Sequence, residues 1–216
     1  LEPGHSDNVV QVIRAENPVT RVLVGPVGPW VNDQDGQKRY RLDVPWLNYM
    51  NTLVAALDNA AAAKSAIGIS LAAPDGFAIR ASGRPDAPEL DPAAGTDEPR
   101  LDLQRPEWDG AQAGFRVYRD WLDIINTYPH TRGLPVYITS TNTFTPDGKT
   151  PAENYPRGWL TTALAVINEE PQIQALCWFI DSFPMDTQWE LFSLTNPRGR
   201  LVDAADEFDT LLSMQP

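Results

Sequence analysis

Hydrophobic residues along this chain follow two alternating rhythms: short apolar runs, and longer stretches with apolar positions three or four residues apart. Residues 7–16 carry Val9, Val10 and Ile13 on one helical face, with Ser6 placed to cap the first turn. Asn17-Pro18 ends that helix, because a residue before proline is pushed out of the helical region. Residues 21–26, RVLVGP, predict a buried strand of mostly branched side chains. Pro45 suits a first helical turn, and Trp46, Leu47, Met50, Leu53, Val54 and Leu57 continue an apolar face towards Ala63. Two short apolar runs follow, 67–71 and 77–81; the second, within DGFAIRAS, is the predicted strand. A helix over 111–128 sets Phe115, Tyr118, Trp121, Leu122 and Ile125 at helical spacing. LPVYIT is the third strand, 158–170 a helix, and QALCWFI the fourth strand. The last helix, 199–212, carries Leu201, Ala204, Ala205, Phe208 and Leu211.

A helix followed by four strand–loop–helix repeats predicts an α/β fold with a parallel sheet. The strands are expected as parallel neighbours in chain order, each too apolar to face water. The whole of 1–216 reads as one domain, since 216 residues suffice for a single large core. The one long irregular stretch, 83–109, is rich in Pro and Asp, and its place after a strand puts it over the ligand face.

Composition narrows the function classes. A net charge of −12 without a basic stripe argues against nucleic acid. No apolar run approaches the roughly 20 residues that span a bilayer, so no membrane partner is expected. The start, LEPGHSDN, has neither a basic region nor an apolar stretch, so no signal peptide is expected. Cys177, the single cysteine, lies in the apolar run ALCWFI and reads as a buried, inert thiol. Two histidines, His5 and His130, are too few for a multi-histidine metal centre. Without a GxSxG elbow a Ser-His-Asp triad has poor support, and without a glycine-rich phosphate loop no cofactor is implied.

Chemistry is expected at the carboxyl ends of the strands, where ligands gather in parallel α/β proteins. The richest such end is LPVYITSTNTF, 134–144, which runs from apolar residues into small hydroxyl and amide side chains. Arg80, Thr141 and Asn142 supply hydrogen-bond donors there, although Arg80 is also suited to pairing with an acidic neighbour. Trp178, at a strand end, is suited equally to stacking on a sugar ring and to core packing. Trp30 and Trp189 lie in predicted βα loops. The nearby carboxylates Asp181, Glu190, Asp33 and Asp35 read first as solvated loop acids.

Four segments together resemble the second half of the clan-A (β/α)8-barrel glycoside hydrolases. NPVTRVLVGPVGPW is similar to the fifth strand and its loop, and APDGFAIRASGRP to the sixth. LPVYITSTNTF resembles the seventh, whose usual pattern is close to LPVYITETN. IQALCWFIDS with WELFSLTNPRGRLVDAADEF resembles the eighth and its closing helix. The resemblance implies a parallel (β/α) barrel or half-barrel and action on glycosidic bonds of oligo- or polysaccharides. It puts Ser140 at the nucleophile position, where the family has an acidic residue. It puts Glu2, in Leu1-Glu2-Pro3, at the acid/base position of an Asn-Glu-Pro pattern, with Leu1 in place of the asparagine. Arg80 stands where relatives often have His. Retaining chemistry needs two carboxylates about 5 Å apart, so these replacements imply a degenerate site, with Asp181 or Glu190 as stand-ins. The alternative is a non-catalytic carbohydrate-binding or scaffolding module, and a third reading is an assembly domain with no sugar site. Four strands cannot close a barrel of eight, so a homodimer, a missing barrel half or a covering element is expected.

Overall fold

The first helix, α1 (Pro3–Glu16), leads into β1 (Leu23–Val24). A two-residue pair, β2 (Trp30–Val31) and β3 (Arg41–Leu42), then precedes the long helix α2 (Trp46–Ala66). The chain continues through β4 (Gly76–Arg80), α3 (Val117–Thr127), β5 (Val136–Thr141), α4 (Pro151–Asn154), α5 (Trp159–Asn168), β6 (Ile173–Trp178) and α6 (Leu201–Ser213). This computed structural model describes residues 3–25, 30–31, 41–42, 46–69, 72–81, 114–143, 149–180 and 189–214.

Four strands make one sheet in the order β1-β4-β5-β6, and every pairing is parallel. The four predicted strands are therefore neighbours in chain order, as the alternating pattern required. Parallel strands in sequential order, joined by crossovers of one hand, place their connecting helices on one side of the sheet. The core agrees. Phe77 and Ile79 of β4 and Val136 and Ile138 of β5 are fully buried. They share one cluster with Met50 and Val54 of α2, Tyr118, Trp121 and Ile125 of α3, Leu160 and Ala163 of α5, and Leu201 of α6. Each large side chain so buried contributes about 1.5–3 kcal/mol.

The intervening strand residues behave differently. Arg80, Thr139 and Cys177 are exposed, and Tyr137 and Ala175 are half-buried. β4 is buried on both faces up to Ile79, with Ala78 only 8% exposed, as expected; its end at Arg80 and the intervening residues of β5 and β6 form an open face, which corrects the expectation there. It also corrects the reading of Cys177. The thiol lies on the open face of β6, a strand with a sheet neighbour on one side only, so an apolar sequence context does not bury it.

Smaller differences have local causes. α1 begins at Pro3, which suits a first helical turn, so Ser6 falls inside the helix instead of capping it. α3 is preceded by a 3-10 turn at Gly114–Arg116. The antiparallel β2–β3 pair was not expected, because two-residue strands carry no readable period.

The amino-terminal end of the sheet is tied down by polar clamps. Arg14 donates to the Ala73 carbonyl at 2.9 Å and pairs with Asp75, while Asp75 accepts from the Val22 amide at 2.6 Å. On the other side, Gln172 donates to the Leu134 carbonyl and accepts from Asn126, whose own side-chain oxygen accepts from the Gly133 amide. These ties anchor β1, β4, β5 and β6 at one end and leave the opposite, carboxyl ends to carry a site.

Candidate functional site

The carboxyl ends of β4 and β5 are shaped by one extra residue. Ile79 pairs with Ile138 and Arg80 with Ser140, so one step on β4 matches two on β5. Likewise Ile138 pairs with Leu176 and Thr141 with Trp178, three steps against two. β5 therefore bulges at Thr139 and Ser140. A bulge breaks the strict alternation of faces and re-aims side chains. Here it brings both Thr139 and Ser140 to the open face before Thr141 returns to the core. Burial follows that pattern: Thr139 is exposed, Ser140 half-buried and Thr141 wholly buried.

Two of the three successive hydroxyls hold the bulge in place. Thr139 donates to the Ile79 carbonyl at 3.2 Å, and Thr141 to the Ala81 carbonyl at 2.6 Å. The Ala81 amide donates to the Ser140 carbonyl at 3.0 Å. Among the described residues, neither the Ser140 hydroxyl nor the Arg80 guanidinium has a hydrogen-bond or ion-pair partner. The two residues are register partners on the open face, with Thr139 and the exposed Cys177 of β6 on the same side.

A buried polar cluster follows the end of β5. Thr143 donates to Asn154 at 2.9 Å, Asn154 to the Lys149 carbonyl, and Asn142 to the Phe179 carbonyl at 3.4 Å. Asn142 is only 5% exposed, so it braces the strand end from within. The Phe179–Ile180 peptide bond next to it is cis.

The aromatic residues divide between two clusters. Trp178 packs on the helix-covered side, edge-on to Tyr155 and Trp159, and its indole N–H donates to the Phe192 carbonyl at 2.8 Å. Of the two uses weighed for Trp178, the structure gives it core packing, and it does not join Arg80 on the open face. Trp189 is half-buried against Phe179 and Phe192, at ring distances of 5.3 and 5.6 Å. Glu190, beside it in a 3-10 turn, forms an ion pair with Arg198, so its charge is directed at that guanidinium.

Arg80 and Ser140 are thus brought together. Asn142 follows β5 and is buried, donating to the Phe179 carbonyl, and Trp189 and Glu190 lie in the 3-10 turn after β6. Trp30 sits in β2, and nothing further is described of its side chain. Glu2, Asp181, Asp33, Asp35 and the stretch 83–109 lie outside the described residues. Sequence reasoning missed Thr139 and Cys177 as open-face neighbours of Ser140. The signal for the first was present, as the hydroxyl run Thr139-Ser140-Thr141 interrupts an apolar alternation.

Chemically, β4, β5 and β6 present hydrogen-bond donors on the open face and no carboxylate. Among the described residues no cluster of His, Cys, Asp and Glu is arranged to hold a metal ion. No described helix is long and apolar enough to cross a membrane. Comparison with family models, with curated proteins and with solved structures finds no match for this chain.

Proposed function

We propose that this protein is glycoside-hydrolase-like, derived from a (β/α)-barrel enzyme of glycosidic bonds, and that it binds oligo- or polysaccharide at a degenerate site. The observation that carries the reading is Ser140. It stands on the open face at the carboxyl end of β5, where the resembled enzymes hold their nucleophilic carboxylate, and its register partner is Arg80. A serine hydroxyl has no carboxylate with which to form the glycosyl ester of a retaining mechanism, and cannot offset oxocarbenium charge. The donors that remain suit sugar oxygens. A sequential parallel sheet with its helices on one side is the arrangement half of an eight-stranded barrel needs. Glu2 as acid/base, with Asp181 or Glu190 as second carboxylate, is the constellation any residual hydrolysis would use. The pairing of Glu190 with Arg198 favours the binding role over the catalytic one.

Activated aryl glycosides test the chemical half of this reading, since a good leaving group lessens the demand on the acid. The expected result is no turnover with retained anomeric configuration. A glycan panel tests the binding half, with at least one saccharide class expected to bind. Robust retaining hydrolysis that survives loss of both Asp181 and Glu190 would mean the nucleophile lies elsewhere. A panel without any binder would favour an assembly domain.

A further inference from the structure

The chain has 29 acidic residues for 17 Lys and Arg, so acids are in excess for pairing every base. Arg14, Arg119 and Arg198 are each engaged by a carboxylate. Among the described residues Arg80 is not, although it stands on the open face at the end of β4. Among the described residues its register partner Ser140 likewise has no hydrogen-bond partner for its hydroxyl, while the hydroxyls on either side of it donate to backbone carbonyls. The bulge in β5 is what sets that hydroxyl on the same face as the guanidinium.

A guanidinium offers five N–H donors and no acceptor, in a planar fork that matches two oxygens of one anionic group. A serine hydroxyl adds one more donor. The strands around them carry no carboxylate to compete. A neutral sugar ring would leave the guanidinium's charge without a counter-charge; an acidic one supplies it.

We propose that Arg80 and Ser140 form the recognition point for an acidic saccharide, whose anionic group is bound by the Arg80 fork and the Ser140 hydroxyl. This rests on the carbohydrate reading above and narrows it to one substrate class. Arg80 is then the specificity-determining residue of the site, and Ser140, at the position where the resembled enzymes hold their nucleophile, is its helper.

Calorimetric titration of the full chain with three oligosaccharide sets of matched length tests this: uronate-containing, sulfated and neutral. The expected result is binding of the acidic oligomers and a loss of roughly tenfold or more in Arg80→Gln. Arg80→Lys keeps the charge but not the fork, and should recover only part of the affinity for a uronate. Ser140→Ala should weaken binding less than Arg80→Gln does. Unchanged thermal unfolding of the variants separates lost recognition from lost folding, and Arg80 is exposed, so Arg80→Gln removes no core packing. Comparison of the uronate and sulfate arms identifies which anionic group is recognised, and Arg80-dependent binding in either arm supports the proposal. Neutral oligomers bound as well as acidic ones, with Arg80→Gln unaffected, would overturn the acidic-saccharide assignment and leave the carbohydrate reading standing. No binding in any arm would overturn both.

Discussion

Glu207 shows how a single side chain holds two helices of this molecule together. From α6 it accepts from the Tyr155 hydroxyl at 3.0 Å, from the Gly158 amide, and from the Thr161 amide at 3.3 Å. The two amides lie at the start of α5, where backbone donors have no partner within their own helix and favour a negative charge. Tyr155 completes the arrangement by accepting from the Leu160 amide at 3.0 Å. Burial pushes its hydroxyl well above the ordinary value of 10.0, so it remains a protonated donor to Glu207. Tyr155→Phe would leave the buried Leu160 amide without an acceptor, and denaturant titration should show a loss of about 1–3 kcal/mol. Asp75 gives a prediction in pH. Burial alone would raise its carboxyl, but the Val22 amide and the Arg14 guanidinium outweigh that and hold it below 3.8. A carboxyl depressed in the folded state contributes stability that is present above its unfolded value and lost as pH falls through its folded one. Unfolding free energy should therefore decline below about pH 4, and Asp75→Asn should flatten part of that decline.

At the scale of elements, the close approach of strands sets the tolerances. A side chain at Gly76 would press its Cβ into the Pro135 carbonyl oxygen and against Leu23, at the point where β1, β4 and β5 meet. Gly76→Ala should therefore destabilise the sheet by about 1–3 kcal/mol, measured by thermal or denaturant unfolding. The strands and their order were legible in the sequence because RVLV, GFAIR, VYIT and QALCW are short apolar runs separated by helical periodicity. α3 was legible because Tyr118, Trp121, Leu122 and Ile125 keep strict helical spacing. The open face was not legible. Alternation within a run such as QALCW does not say which side a helix will cover, so Cys177 and Trp178 were each assigned without knowledge of their face. The bulge was equally hidden, since register depends on the neighbouring strands and not on β5 alone. The place of Arg80 at a strand end and the family resemblance at Ser140 mark them as site residues in the sequence. Their pairing on one face needed the fold.

At the scale of the molecule, the described residues form a four-stranded parallel sheet with helices gathered on one side and a separate two-stranded pair, and the outer strands β1 and β6 each have a single neighbour within the larger sheet. Parallel sheets of this kind are stable when edges and faces are covered. A homodimer or the missing half of a barrel is our proposal for that cover, and light scattering of the chain in solution should give about twice 23.9 kDa in the first case. The central claim is that the strand carboxyl ends bind saccharide through the open face of β4 to β6. Mapping backbone amide chemical shifts during titration with oligosaccharide tests it most directly. The account predicts that the largest shifts fall at Arg80, Thr139, Ser140 and Cys177, with those at Val22 and Asp75, at the opposite end of the sheet, unmoved. Saturable shifts centred on Val22 and Asp75 instead, or no shifts with any saccharide, would contradict it.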